Sequence, residues 1–302
     1  MYEDECYFRM KSSWVSASHC KHLSKDFIRE FRKKLRWKII WQEQSLSEKF
    51  IEEMEEYIDW ELISRHQKLS ESFIEKHERD VNWIVLPVHI KFSEQFLLKH
   101  WDKFKNKDYI WSNQKLSTNF LRKFIDSEEL NWYAVSAFQI LDEKFIEEFK
   151  DKVNWTAISQ HQSLSEDFII DHLNYISWHG ISNCSKLSEQ FIERHKNEVD
   201  WWAISTNQKL SEDFIERNFH LVKWHSISYH QKLSEDFLFK WRRRINWDYA
   251  CQQQTLSEDF IENRMDKWDI KWDIIYQHQK LSKEFIERHN KEFSSVIKRS
   301  YN

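Results

Sequence analysis

Histidines recur at regular intervals along this chain of 302 residues, and imidazole is the side chain best suited to bind a metal ion or move a proton. Ten of the fifteen fall into two columns of an internal repeat, which are His77, His100, His172, His195 and His289, and His66, His89, His161, His230 and His278. Equivalent residues of neighbouring repeats would lie about 8–10 Å apart at helix-packing distance, too far to share a zinc ion. No HExxH sequence occurs. We therefore predict no metal site and no cofactor.

Glycine and proline are almost absent, with one of each in the chain, Gly180 and Pro87. Phosphate-cradling loops, tight hairpins and nucleophile elbows all need glycine, so GxSxG, GxGxxG and Walker sequences are excluded. The recurring serines are better explained as helix caps than as nucleophiles. Carboxylate pairs such as Glu52 and Glu53 are expected on solvated helix faces. This composition favours helices joined by short turns, and we predict that the protein is not an enzyme.

A repeat whose most regular part reads LSEDF sets the positions of these residues. With its leucine as position 0, copies begin at Leu23, Leu46, Leu69, Phe92, Leu116, Leu141, Leu164, Leu187, Leu210, Leu233, Leu256 and Leu281. Successive copies are 23 residues apart, or 24 to 25 at three places. Position +4 is always phenylalanine, and a tryptophan lies nine residues before every copy except one, where Lys107 replaces it. Such a period indicates a repeat array, and Lys107→Trp is expected to be tolerated or stabilising.

Each repeat contains two helix starts. Serine at +1, often followed by acidic residues, is a typical N-cap, and leucine at 0 with the aliphatic residue at +5 forms a hydrophobic staple. Asparagine, aspartate or serine before the tryptophan repeats this pattern in most copies. We name the first helix A and the second helix B. In one stretch of the chain, helix A is predicted over about 188–199 and helix B over about 201–208.

One face of helix B carries tryptophan, isoleucine, serine and glutamine at i, i+3, i+4 and i+7. The tryptophans and the phenylalanines at +4 are predicted to form the core rather than a stacking platform for bases. The serine is predicted to allow close helix approach. The glutamines are predicted to be a ladder of buried amides that satisfy turn carbonyls or each other. Its members are Gln44, Gln67, Gln114, Gln139, Gln162, Gln208, Gln231, Gln254 and Gln279.

Helices this short are marginal on their own, so each must pack against neighbouring repeats. No segment alternates with a period of two residues, which argues against strands. We predict an all-α fold, an αα-solenoid of two-helix repeats of about 23 residues, as a single domain over 1–302. Residues 1–22 would form an N-terminal half-unit or cap, 23–280 eleven repeats, and 281–302 a C-terminal capping helix ending in the polar KRSYN.

The pattern LSExFIE…VNWxxIS…QKLS resembles tandem repeats in uncharacterised proteins of giant DNA viruses and some phages. It is seen in "LSESFIEKHERDVNW" at 69–83 and in "KLSEQFIERHKNEVDWWAISTNQKLS" at 186–211. The resemblance covers roughly 14–302. It implies no activity, cofactor or site residue. It implies a viral protein, which would act in the host cytoplasm.

Charge and composition bear on the partners and the compartment. The 46 basic and 50 acidic residues are interspersed, the net charge is −4, and no lysine or arginine column is apparent, which disfavours nucleic acid as a partner. No apolar run approaches the length of a membrane span, and residues 1–10 are too acidic for a secretory signal. The four cysteines are scattered, without CxxC spacing. We predict a cytoplasmic protein that does not bind membranes.

The outward face of helix B is the candidate partner-binding surface. Its positions one, two, five and six residues after the tryptophan vary between repeats and contain tryptophan, tyrosine, histidine and asparagine, as interface cores do. The residues predicted to bind a partner are His161, Trp202, Thr206, Asn207, His225, Tyr229, His230, Tyr249 and Gln253. Neutral drift of a half-covered helix toward small polar residues would give a similar pattern.

Three functions are compatible with this surface. The leading hypothesis is a noncatalytic scaffold that binds another protein, because solenoids use extended surfaces for recognition; Trp202 and Tyr229 would be its anchors. The first alternative is a helical-repeat protein that binds single-stranded nucleic acid, one base per repeat. The second is a structural or virion component that packs laterally against other molecules.

Overall fold

Short helices joined by turns make up the described part of the chain. The computed structural model describes residues 13–265 and 271–293, and every regular element within these ranges is a helix. The chain divides into two compact units, Met1–Val153 and Asn154–Asn302. Within each unit, successive B helices contact one another. The predicted all-α architecture of stacked two-helix repeats is confirmed.

In the first unit, A and B helices alternate along the chain. The B helices are Trp14–Ser18, Trp37–Glu43, Trp60–His66, Leu86–His89, Asp108–Asn113 and Trp132–Phe138. The A helices are Lys25–Phe31, Glu48–Glu53, Glu71–Lys76, Glu94–Lys99, Thr118–Leu121 and Glu143–Glu148. Two 3₁₀ turns, Glu55–Tyr57 and Trp101–Lys103, follow the second and fourth A helices. The first twelve residues of the predicted N-terminal half-unit lie outside the described residues.

The second unit repeats the alternation with more uniform lengths. The B helices are Trp155–His161, Trp178–Cys184, Trp201–Asn207, Trp224–His230, Trp247–Gln253 and Trp272–His278. The A helices are Glu166–Asp171, Glu189–Arg194, Glu212–Arg217, Glu235–Lys240, Glu258–Asn263 and Lys283–Arg288. The last of these belongs to the predicted C-terminal capping segment, whose polar end at 298–302 lies outside the described residues.

The serine at +1 caps helix A as predicted, and a glutamate of the preceding repeat holds it in place. Ser211 Oγ accepts a hydrogen bond from Phe214 N–H at 3.2 Å. Glu189 Oε1 accepts from Ser211 N–H at 2.5 Å, and its Oε2 accepts from Ser211 Oγ at 3.0 Å. The same pairing joins Glu71 to Ser93, Glu94 to Ser117, Glu166 to Ser188, Glu212 to Ser234, Glu235 to Ser257 and Glu258 to Ser282. Each of these seven helix starts therefore depends on the preceding repeat, whereas Ser47 makes no side-chain cap bond.

Helix A is half as long as predicted. The helix predicted over 188–199 ends at Arg194. The chain then turns, and Glu198 N–H and Val199 N–H both donate to His195 O. The His195 ring lies 5.0 Å from the Trp178 ring and 4.6 Å from the Phe191 ring. Packing on the two aromatic rings thus replaces the last helical turns and directs the chain toward the next B helix.

The predicted ladder of buried amides is confirmed. Gln231 Oε1 accepts from Leu210 N–H at 3.1 Å, while its Nε2 donates to Ser205 O at 3.0 Å and to Gln208 O at 2.8 Å. Gln254 makes the equivalent three bonds one repeat later. The amide thus satisfies backbone groups of the preceding repeat in the turn between helices B and A, where burial would otherwise leave them without water.

The serine four residues after the tryptophan does more than allow close approach. Ser182 Oγ donates to Trp178 O at 2.7 Å and accepts from Asp200 N–H at 3.0 Å. The same relay recurs at Ser64, Ser159, Ser205 and Ser228. The hydroxyl therefore joins the first turn of one B helix to the N-cap residue of the next B helix.

The phenylalanines at +4 are buried as predicted, Phe214 fully, except Phe168, which is half-buried. The gap that Lys107 leaves in the tryptophan column is already filled. Column tryptophans lie about 6.2 Å from the next phenylalanine, as Trp60 does from Phe73. Trp101, from the 3₁₀ turn, lies at the same 6.2 Å from Phe120, and Lys107 Nζ sits over its ring at 5.4 Å. An added indole at Lys107 would compete for this space, so its expected tolerance is not supported.

Candidate functional site

The B helices of the second unit carry most of the predicted partner-binding residues on one exposed row. The exposed members are His161, Trp202, Asn207, His225, Tyr229, His230 and Gln253. The two half-buried members are Thr206 and Tyr249. We refer to these nine residues as the B row.

Trp202 is more exposed than either tyrosine of the B row, with 55% of its surface accessible. Its neighbour Trp201 belongs to the core and is 8% accessible; one residue along a helix turns a side chain by about 100°, so Trp202 points outward. Asp200 caps this helix and accepts hydrogen bonds from Trp202 N–H at 2.8 Å and Ala203 N–H at 3.2 Å. The indole thus stands on a firmly capped helix.

Tyr229 belongs to a cluster of aromatic rings that crosses two neighbouring B helices. Its ring lies 4.9 Å from Tyr249 and 4.7 Å from His230, and His225 lies 4.5 Å from Tyr249. All three contacts are edge-to-face, with interplanar angles of 63–80°. Because the rings support one another, little side-chain freedom remains to be lost on binding.

A chain of polar contacts links the B helices on the other side of Trp202. Asp200 Oδ2 lies 2.6 Å from His179 Nδ1, Asn183 Nδ2 donates to His179 O at 2.8 Å, and Asn207 Nδ2 donates to Asn183 Oδ1 at 2.9 Å. Burial raises the pKa of the Asp200 carboxyl, but hydrogen bonds from His179 and from two backbone N–H groups outweigh it, so its pKa lies below the ordinary value. The carboxylate is therefore charged and fixed in place.

One of the four positions predicted to face outward does not. The residue two positions after the tryptophan is buried in Ala157, Gly180, Ala203 and Ser226, so this part of the prediction was wrong. It lies where successive B helices touch. A Cβ on Gly180 would come within 2.7 Å of Ser159 C and 2.9 Å of Gln160 N. In these four repeats the outward face is thus narrower than predicted, at one, five and six residues after the tryptophan. In the next repeat the same position is Tyr249, which is half-buried and remains part of the B row.

A row of lysines beside the B row was missed. Lysine directly precedes position 0 in Lys68, Lys91, Lys115, Lys186, Lys209, Lys232 and Lys280, so a lysine column does exist. Lys186, Lys209 and Lys232 line one open cleft of about 790 Å³ together with Thr206, Asn207 and His230. The sequence feature that indicates this row is the recurring pair Lys-Leu, which is part of the repeat motif and is therefore easily interpreted as structural. We refer to these three lysines as the lysine row.

The histidine column of helix A is part of the frame rather than of a site. The His100 ring packs against Phe96, with 4.5 Å between ring centroids, and its Nε2 lies 3.0 Å from Glu75 Oε1 of the preceding repeat. His77 is held in the same way by Phe73 and Glu52. Among the described residues, no group of three or more histidine, cysteine, aspartate or glutamate side chains could hold a metal ion.

Comparisons with known proteins add no relative. No family model matches the chain, and neither a curated protein nor a solved structure does. Over 13–265 and 271–293, the helices all lack the length and apolar character needed to cross a membrane.

Proposed function

We propose that the protein is a noncatalytic scaffold that binds another protein along the B row. The observation that carries this proposal is the exposure of Trp202 beside the aromatic cluster of Tyr229, Tyr249 and His225, on helices whose buried columns are nearly constant. Tyrosine and tryptophan dominate binding energy at protein interfaces because they bury a large area at low entropic cost. The stacked B helices present such residues as one extended surface.

The resemblance to repeats of giant DNA viruses and phages gives this proposal a biological setting. A virus-encoded scaffold would sequester or recruit a host factor in the host cytoplasm. The proposed function involves no catalytic step. Binding would depend on the surface area buried, on the aromatic anchors and on polar groups whose positions are fixed, among them the Asn207 amide.

The first prediction concerns the two anchors. Trp202→Ala with Tyr229→Ala should weaken capture of the partner by at least about 2 kcal/mol, while the melting temperature stays close to that of the wild type. The matched control is Tyr175→Ala with Phe219→Ala, which removes two aromatic side chains that are 52% and 39% exposed and lie outside the B row. Immobilised wild type and both variants would be compared by quantitative mass spectrometry of proteins captured from lysate.

Two results would count against the proposal. One is equal loss of the captured proteins from the control variant, which would place binding away from the B row. The other is loss of all specific capture from the wild type after nuclease treatment, which would favour the single-stranded nucleic-acid alternative.

A further inference from the structure

We propose that the lysine row binds an acidic, extended peptide segment of the protein partner. Lys186, Lys209 and Lys232 lie in three successive repeats and share one cleft with three residues of the B row. This inference rests on the proposed function, in which Trp202 and Tyr229 are the anchors, and it adds the chemical class of the segment that lies beside them.

The three lysines carry positive charge that the protein itself does not neutralise. Elsewhere the repeats pair their lysines: Lys76 Nζ lies 2.7 Å from Glu52, Lys99 Nζ 2.8 Å from Glu75, and Lys240 Nζ 2.6 Å from Glu216. Among the described residues, no carboxylate lies within 4.0 Å of a lysine of the row.

The glutamates that follow these lysines most closely in the sequence already accept hydrogen bonds from the protein. Glu189 uses one oxygen for Ser211 N–H and the other for Ser211 Oγ. Glu212 is bound in the same way by Ser234. Because these carboxylates cap helix A, they cannot swing across to the lysines without uncapping it. Three ammonium groups are therefore left for an anion from outside the chain.

The lysine row runs directly beside the anchors. His230 lines the cleft and its ring lies 4.7 Å from Tyr229. Thr206 also lines the cleft, and its Oγ1 donates to Trp202 O at 2.9 Å. A partner that buries apolar side chains on the aromatic residues would thus bring the next part of its chain over the lysines.

The spacing suits an extended chain. Neighbouring repeats pack about 8–10 Å apart, and an extended peptide advances about 3.3 Å per residue. A carboxylate at every third residue would therefore meet successive lysines. Thr206 and Asn207 line the same cleft, and Thr206 Oγ1 and Asn207 Oδ1 can accept hydrogen bonds from N–H groups of the peptide.

The observations favour a peptide over a nucleic acid. Binding of single strands without base readout relies on open aromatic faces on which successive bases stack. Here Tyr229, Tyr249 and His225 pack edge-to-face against one another, and among the residues lining the cleft only His230 is aromatic.

The test uses the full chain and defined probes. A fluorescein-labelled peptide of four Glu-Ser-Leu triplets, its Gln-Ser-Leu isostere and a labelled oligouridine of equal length would be titrated by fluorescence polarisation. The variant replaces Lys186, Lys209 and Lys232 by glutamine. The control replaces Lys196, Lys240 and Lys283 by glutamine, which removes the same charge outside the cleft. Circular dichroism melts would show that both triple variants remain folded.

We expect the wild type to bind the acidic peptide at least about tenfold more tightly than the isostere, and the lysine-row variant to lose the same factor. The control should stay within about twofold of wild type. The inference is overturned if the acidic peptide does not bind at about 1 mM, if both triple variants lose equally, or if oligouridine binds more tightly than the peptide through the same lysines.

Capture of the partner separates this inference from the proposed function. A lysine-row variant that captures the partner as well as wild type, while the Trp202 and Tyr229 variant does not, overturns the inference alone. Undiminished capture by the Trp202 and Tyr229 variant contradicts the proposed function, whatever the acidic peptide does.

Discussion

At the scale of single residues, each position of the repeat packs in the same way in successive copies. Where the repeat lacks its usual residue, another side chain fills the same space. Trp101 occupies the position that Lys107 leaves open, and its Nε1 donates to Glu129 Oε2 at 2.9 Å. Lys107 is paired with the same glutamate at 3.4 Å and is 14% exposed. The column's place beside Phe120 is therefore taken by an indole from a different place in the chain, which packs on the buried Trp111.

The Trp101 and Lys107 pair gives the second prediction. Lys107→Trp should destabilise by about 1–3 kcal/mol, because a second indole overpacks the site. Trp101→Ala should cost about 1–3 kcal/mol through the cavity that this half-buried indole leaves. In the double variant the new indole fills that cavity, so the two costs should fall short of additive by at least about 1 kcal/mol. Urea unfolding of the four proteins measures the coupling, and strict additivity would show that the two positions do not share the space.

At the scale of elements, four consecutive B helices carry a small, buried residue two positions after the tryptophan, which is Ala157, Gly180, Ala203 or Ser226. Gly180 marks the closest approach, because even a methyl group there would meet the backbone of Ser159 and Gln160. Ser226 occupies the equivalent place two repeats later and is buried without requiring glycine. In these four repeats the B row therefore rests on helices that pack with only a small side chain at this position.

The third prediction follows from this contact. Gly180→Ala should destabilise by about 1–2 kcal/mol, since the backbone clash exceeds the gain in helix propensity of about 1 kcal/mol. Ser226→Ala, the matched control, should change stability by less than about 0.5 kcal/mol. Thermal melts compare the two, and a Gly180→Ala variant more stable than the wild type would show that the helices can separate at no cost.

The sequence predicted the elements of this fold because caps, staples and buried columns repeat in every copy. Helix starts at Ser211 and Trp201, and the amide ladder of Gln231, are local or strictly periodic features and were confirmed. The length of helix A could not be predicted, because it ends where His195 packs on aromatic rings from elsewhere in the repeat. The burial of Ala203 could not be predicted either, because it depends on how closely successive B helices pack.

The candidate site was predictable only in part. Variation and aromatic content identified Trp202 and Tyr229, and both are exposed. The lysine row was overlooked because its letters lie inside the repeat motif, where a constant residue suggests the frame. What distinguishes Lys209 from Lys240 is its lack of a carboxylate partner among the described residues, and pairing of this kind depends on the packing of neighbouring repeats.

At the scale of the whole molecule, carboxylates tie each repeat to the next within a unit. Hydrogen bonds from Lys76 and His77 hold the pKa of Glu52 below its usual value. Those from His100 and Lys99 do the same for the pKa of Glu75. Such groups stabilise the fold above their ordinary pKa of about 4.3, and this stabilisation is lost as the pH falls through the lowered pKa.

The fourth prediction is therefore acid sensitivity. The melting temperature should change little from pH 7 to about pH 5 on account of these carboxylates and fall steeply below about pH 4. Glu75→Gln should lower the melting temperature at pH 7 and reduce the size of the acid-induced drop, because one of the titrating links is gone. Equal melting temperatures at about pH 3.5 and pH 6 would contradict the role of the carboxylates.

Photocrosslinking is the most direct measurement of which face binds the partner. A benzophenone amino acid would replace Trp202 or Tyr229 in the B row, and Tyr175 or Phe219 outside it, in otherwise wild-type protein. After incubation with lysate and irradiation, we expect the same crosslinked partner from positions 202 and 229, with a yield that falls when unlabelled wild type competes. We expect no such product from positions 175 and 219. Competable crosslinks from 175 and 219 with none from 202 and 229 would contradict the binding of a partner along the B row.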